Sequence, residues 1–151
     1  MMGGLHIEMA FLKVLGEWLY DSGWITAITT AGEATAGRAG SIQKGASTSR
    51  GQWAHQVMVA ALYILKCKAF KEYTERVRDS AEKLDFQQWL DMMDNIYPKF
   101  AYWNKTMQLE ILFFFLQFMK SQREANFEMY VECLGKMVPW MFAMNHVHYA
   151  C

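Results

Sequence analysis

Proline is nearly absent from this chain: two occur in 151 residues, Pro98 and Pro139. Proline breaks helices, so its scarcity permits long uninterrupted ones. Cysteine is also scarce, at three. Cys67, Cys133 and Cys151 are odd in number and far apart, with no CxxC or Cys/His zinc spacing, which excludes a disulfide framework or a zinc finger. Reduced thiols are the simplest account, and they point to an intracellular location, nucleus or cytoplasm being left open. No net charge is present, with 15 basic and 15 acidic residues, and nucleic-acid binding usually shows as a basic excess. No apolar run is long enough to span a bilayer: the longest, Ile111–Phe118, is interrupted by Gln117 and flanked by Glu110 and Lys120. The start, Met-Met-Gly-Gly-Leu-His, lacks the basic-then-apolar order of a signal peptide. No alternating strand pattern and no internal repeat occur.

What remains is helical. Apolar residues make up 53% of the chain, enough for one core. Leu5, Met9, Leu12, Leu15 and Leu19 recur at three- and four-residue steps and predict a first helix, stopped at Asp21-Ser22-Gly23. Trp24–Thr30 predicts a short second one. From Gln52 to about Arg78 a long helix is expected, with Trp53, Val57, Ala60, Ala61, Ile64 and Leu65 as its apolar stripe. Phe86–Tyr97 follows, ended by Pro98. Tyr102–Lys120 is apolar nearly all round and therefore expected to be buried on both sides. Glu124–Val138 presents Phe127, Tyr130, Val131 and Leu134, and ends at Val-Pro-Trp. Residues 32–51 are Gly-, Ala-, Ser- and Thr-rich and read as one long flexible loop. The expectation is an all-α bundle of about five or six helices in a single domain over residues 1–151.

Candidate chemistry is sparse. His6, Glu8, His146 and His148 supply three imidazoles and a carboxylate for a divalent metal if the two ends meet in space. His-x-His puts both rings on one face only in an extended segment, so packing roles for His6 and His146 compete with this reading. Glu110, Glu124 and Glu128 are acids of the kind that hold Mg²⁺, although such spacing ordinarily marks a solvated face. Cys67 lies between Lys66 and Lys68, an electropositive setting for a thiol. Charge is unevenly spread. Residues 38–78 carry eight basic against two acidic residues, whereas 1–37 carry one against four. Arg38, Lys44 and Arg50 are thus the candidate phosphate contacts. No Walker loop, H-E-x-x-H or G-x-S-x-G is present.

Several separated blocks carry a resemblance. Gly3-Gly4-Leu5-His6-Ile7-Glu8-Met9, Ala54-His55-Gln56-Val57, Ala61-Leu62-Tyr63-Ile64-Leu65, Tyr102-Trp103, Gln108-Leu109-Glu110, Arg123–Phe127, Val138-Pro139-Trp140 and His146–Ala150 together resemble a transposon-associated, transposase-derived protein family of animal genomes. The resemblance implies an RNase H-like core whose acidic residues perform metal-assisted phosphoryl transfer. It also implies a longer N-terminal part ahead of Gly3-Gly4 and an Asp where Asn145 stands, and Asn supplies no charge to a Mg²⁺ site. The expectation is therefore the central helical region of a longer protein, without catalysis of its own and with a structural or interaction role. No cofactor is expected beyond a candidate divalent metal. Its expected partners are the rest of its own longer protein or a second copy, with a nucleic-acid-binding or nuclease-like module as the alternative and no membrane.

Overall fold

The computed structural model describes residues 3–78 and 83–146, apart from the side chains of 106–110. The described residues are all-helical. They form α1 (Gly4–Trp18), α2 (Trp24–Thr30), α3 (Ala36–Gln43), α4 (Thr48–Arg76), α5 (Phe86–Ile96), α6 (Pro98–Ala101), a π-helical segment (Tyr102–Leu112), α7 (Phe113–Arg123) and α8 (Phe127–Ala143). Eight α-helices among the described residues exceed the five or six expected.

α1 is the hub. It touches α3, α4, α7 and α8. Ile7, Ala10, Phe11, Val14 and Leu15 follow the helical period and are all buried. Leu12 and Leu19 are buried too, but Leu5 and Met9, part of the expected face, are exposed. A helix covered on several sides buries a broad sector, and Leu5 and Met9 fall outside it. The chain then reverses through left-handed residues Asp21 (φ 56°) and Gly23 (φ 82°).

The expected loop over 32–51 is mostly helix. Thr35 caps α3, its hydroxyl accepting from the Arg38 amide at 3.4 Å. Ala39 and Ile42 are buried against the core. The residue types that suggested a loop serve here as spacers. With little side-chain bulk on α3, its C-terminal turn comes directly onto the backbone of α1 at Gly16. Local propensity pointed to a loop, and tertiary packing overrides it.

α4 spans 29 residues, about 43 Å at the usual rise. Gly51, Ala54, His55 and Met58 in its first half are buried in the core. Phe70 in its second half joins an aromatic cluster with Phe86 (5.1 Å between centroids), Trp89 (5.5 Å) and, through Trp89, Phe100 (5.9 Å). α5 begins at a capping box missed in the sequence. Asp85 Oδ1 accepts from the Gln88 amide at 2.9 Å, and Gln88 Oε1 accepts from the Asp85 amide at 3.0 Å. Asp85→Ala is expected to cost about 1 kcal/mol, read as a lowered urea midpoint with an unchanged m-value.

The apolar C-terminal third is covered in part within the chain, with Phe113 and Phe142 left exposed. Phe115 and Phe118 of α7 are fully buried, and Phe115 stacks on Phe11 of α1 at 5.6 Å. α8 packs along α7 through Cys133, Met137 and Met141. Its expected stop at Val138 does not occur, because the helix runs through Pro139 to Ala143. Proline removes the bond to residue i−4 and crowds that carbonyl. Here that residue is Gly135, which is exposed and has open space around its Cβ position. Fully buried Met137 and Met141 hold both sides of the interruption, and Trp18 meets Trp140 edge-on at 5.4 Å. Of the expected α8 face, Phe127 and Val131 are exposed. Among the described residues no helix is long and apolar enough to cross a membrane.

Candidate functional site

Two features of α4 are not explained by the core. The first is its apolar stripe. The residues legible in the sequence as a face to bury are the ones left outside. Trp53 is 43% exposed, Ile64 52% and Leu65 61%, with Ala60 and Ala61 exposed between them and Val57 half-buried. The packed face is instead Gly51, Ala54, His55 and Met58, which lacks the large aliphatic residues that make a stripe visible. Small residues permit a close approach, as at Gly51, whose absent side chain makes room for Leu12.

The second feature is polar and buried. Asp94 of α5 and Asn104 of the π-helical segment are both buried. The Asn104 amide donates to Asp94 Oδ1 at 3.1 Å and Oδ2 at 3.0 Å. That orientation turns Asn104 Oδ1 toward α4, where it accepts from Lys66 Nζ at 2.8 Å. Lys105 balances the Asp94 charge at 3.4 Å. The chain Asp94–Asn104–Lys66 crosses from α5 to α4 and ends at a pocket of about 450 Å³. The pocket is walled by Leu62, Leu65, Ala69, Phe100 and Trp103, with Lys66, Lys99 and Asn104 as its polar members. Burial pushes the Lys66 ammonium below its usual value, and the Asp94 charge opposes that shift. Sequence reading missed this site. Asp94, Lys66 and Asn104 are 10 to 38 residues apart and share no motif.

Of the predicted metal ligands, the described ones, His6, Glu8 and His146, are not brought together. His6 is exposed near the start of α1, and Glu8, two residues on, is buried and accepts from Gln52. His146 lies near the other end of α1, its Nε2 3.1 Å from Glu17 Oε1. Eleven helical residues, about 16 Å, separate His6 from Glu17. His148 lies outside the described residues. Among the described residues no group of three His, Cys, Asp or Glu is close enough to hold a metal. Glu124 pairs with Lys120 at 3.9 Å and Glu128 is exposed on the first turn of α8. The Glu110 side chain lies outside the description. Arg38, Lys44 and Arg50 are all exposed, on the first turn of α3, at its C-terminal cap and on the first turn of α4. Lys44 shares a cleft with Lys13, Glu17 and Tyr20, so acidic as well as basic groups face it. Cys67 is a half-buried free thiol on α4, and Cys133 is a buried one, its thiol pushed up by burial.

The remaining buried titratable group is His55. Its ring lies between Trp24, at 6.0 Å, and the edge of Phe115, at 6.1 Å. Among the described residues its Nδ1 has no hydrogen-bond partner, nor has Nε1 of Trp24. Burial lowers the His55 pKa to about 4, so the ring is neutral at pH 7. Comparison with protein-family models, with curated proteins and with solved structures finds no match.

Proposed function

We propose that this chain is a non-catalytic helical interaction module, the helical part of a transposon-derived protein, that pairs with a second copy of itself along α4. The exposed stripe of α4 carries this reading. With Leu65, which lines the pocket beside Trp103, left aside and the stripe extended to Lys68, its positions Trp53, Val57, Ala60, Ala61, Ile64 and Lys68 are spaced four, three, one, three and four residues apart. That order is the same in both directions. Two copies crossing antiparallel at Ala60 and Ala61 would therefore match each stripe to itself, as a two-fold interface requires. Ala60 meets Ala61, Val57 meets Ile64, and the Trp53 ring meets the Lys68 ammonium, a favourable cation–aromatic contact. The small central residues allow the helices to approach, and the larger ones flank them. Arg50 and Lys71 fall at matching distances outside the stripe and would repel if the helices lay flush. A crossing angle near −50°, common for packed helices, separates them.

The test is the oligomeric state. Sedimentation equilibrium should show a dimer at about 100 µM, corresponding to roughly −5.5 kcal/mol or better. Ile64→Glu changes each stripe once and the dimer twice, and should raise the dissociation constant by about tenfold or more. Because Ile64 is already exposed, its circular dichroism spectrum should not change. A wild-type monomer at that concentration, or a variant that dimerises equally well, refutes the pairing. The competing reading, a nucleic-acid-binding module built on Arg38, Lys44 and Arg50, requires salt-dependent binding to DNA or RNA. It gives no reason for a dimer without nucleic acid.

A further inference from the structure

We infer that the pocket between α4 and α6 is a binding site for a small amphipathic carboxylate, with the apolar body against Leu62, Leu65 and Trp103 and the carboxylate on Lys66. Its volume, about 450 Å³, falls in the usual range for small-molecule sites, roughly 300–1,000 Å³. Its walls are aliphatic and aromatic, so they favour an apolar body over a sugar or nucleotide. Its polar groups are two amines and an amide. Lys66 has three N–H groups and spends one on Asn104. The others are available to an acceptor in the pocket. Lys99 is an exposed second ammonium on the pocket wall, and among the described residues it has no ion-pair partner.

Charge supports an anion. Asp94 is the acid beside Lys66, and Lys105 already faces it. Lys66 and Lys99 therefore leave the pocket with positive charge to match. Position supports it as well. A surface lysine normally moves through many rotamers, whereas Lys66 is held by an amide that is itself fixed on both oxygens of a buried carboxylate. A preorganised amine loses less entropy on binding than a free one. Anion binding would restore the favourable setting for the ammonium that burial has weakened. This inference does not depend on dimerisation, because the pocket uses Leu62, Leu65, Lys66 and Ala69 rather than the centre of the stripe.

Decanoate is the probe, with decanol as its uncharged counterpart and an acidic helical peptide as the macromolecular alternative. Calorimetry should show one decanoate per chain. Decanol should bind at least about tenfold more weakly. Lys66→Met should remove most of that difference while leaving decanol binding unchanged. Amide and indole NMR shifts on adding decanoate to the wild-type chain should centre on Lys66, Lys99 and Trp103. If Lys66→Met fails to fold, the decanoate–decanol difference and the location of these shifts decide the matter alone. Equal affinity for decanoate and decanol, shifts centred elsewhere, or binding of the peptide but not decanoate would overturn the assignment. Ile64→Glu should still bind decanoate, which separates failure of the pocket from failure of the dimer.

Discussion

Gly16→Ala is expected to break the packing of α3 on α1 and to lower stability by about 3 kcal/mol or more, the upper range for overpacking. A Cβ at Gly16 would lie 1.6 Å from the carbonyl oxygen of Gln43 and 2.7 Å from its carbonyl carbon. Both are backbone atoms, so no side-chain rotation relieves the clash. Gln43 is also tied down, its side-chain Nε2 donating to the Leu19 carbonyl at 3.1 Å. The segment must therefore move away from α1 as a unit, and with it the buried Ala39 and Ile42. Gly40→Ala is the control. Gly40 also lies in α3, but open space surrounds its Cβ position. Removing a helical glycine there should add about 0.5–1 kcal/mol. Urea denaturation of the two variants should thus shift in opposite directions. A Gly16→Ala chain as stable as wild type would show that α3 does not cross α1 at this point.

The second large effect is with acid. His55 has a folded-state pKa of about 4, below its ordinary value of 6.5. Between those values the unfolded chain binds a proton that the folded chain does not. Stability therefore rises with pH across this window and falls as pH drops from 6.5 to 4. Above 6.5 the contribution is fully present, and below 4 no more is lost. At about 1.4 kcal/mol for each pH unit, the window amounts to roughly 3 kcal/mol. The physical cause is burial between Trp24 and Phe115, where a charged ring would lose its water with nothing given in return. Urea midpoints at pH 7 and pH 4.5 measure the loss. Carboxylates also begin to titrate there, so His55→Leu isolates the histidine. That variant should lose most of the pH dependence and, because an unpartnered polar group is replaced by an apolar one, keep its stability at pH 7. An undiminished pH dependence in His55→Leu would assign the effect elsewhere.

The sequence revealed helices more reliably than it revealed their inner faces. In α1 the repeat of Leu12, Leu15 and Leu19 was legible because large aliphatic residues occupy the buried positions. In α4 the same rule selected the wrong side. Its buried residues are Gly51, Ala54, His55 and Met58, and hydropathy does not register a glycine or a histidine as core. The composition of α3 predicts a loop for the same reason, since its contribution is closeness rather than apolar bulk. Asp85 and Gln88 form a capping box with the three-residue spacing that a local pattern does encode. The Asp94–Asn104–Lys66 relay had no comparable signal, because the spacing of three polar residues on different helices has no period.

By itself the sequence determined that the chain is helical, because few prolines, no alternating pattern and repeated three- and four-residue apolar steps leave the described backbone little else to form. It also indicated that the segment over Tyr102–Lys120 would enter the core, and Ile111, Leu112, Phe115 and Phe118 do so, although Phe113 on its other side stays exposed. Only the tertiary structure decided which side of α4 meets the core, that a glycine-rich segment becomes α3, and that α8 passes through Pro139. Each depends on how closely two backbones approach and on what covers a given atom. These are relations between residues distant in the chain, and no local pattern encodes them.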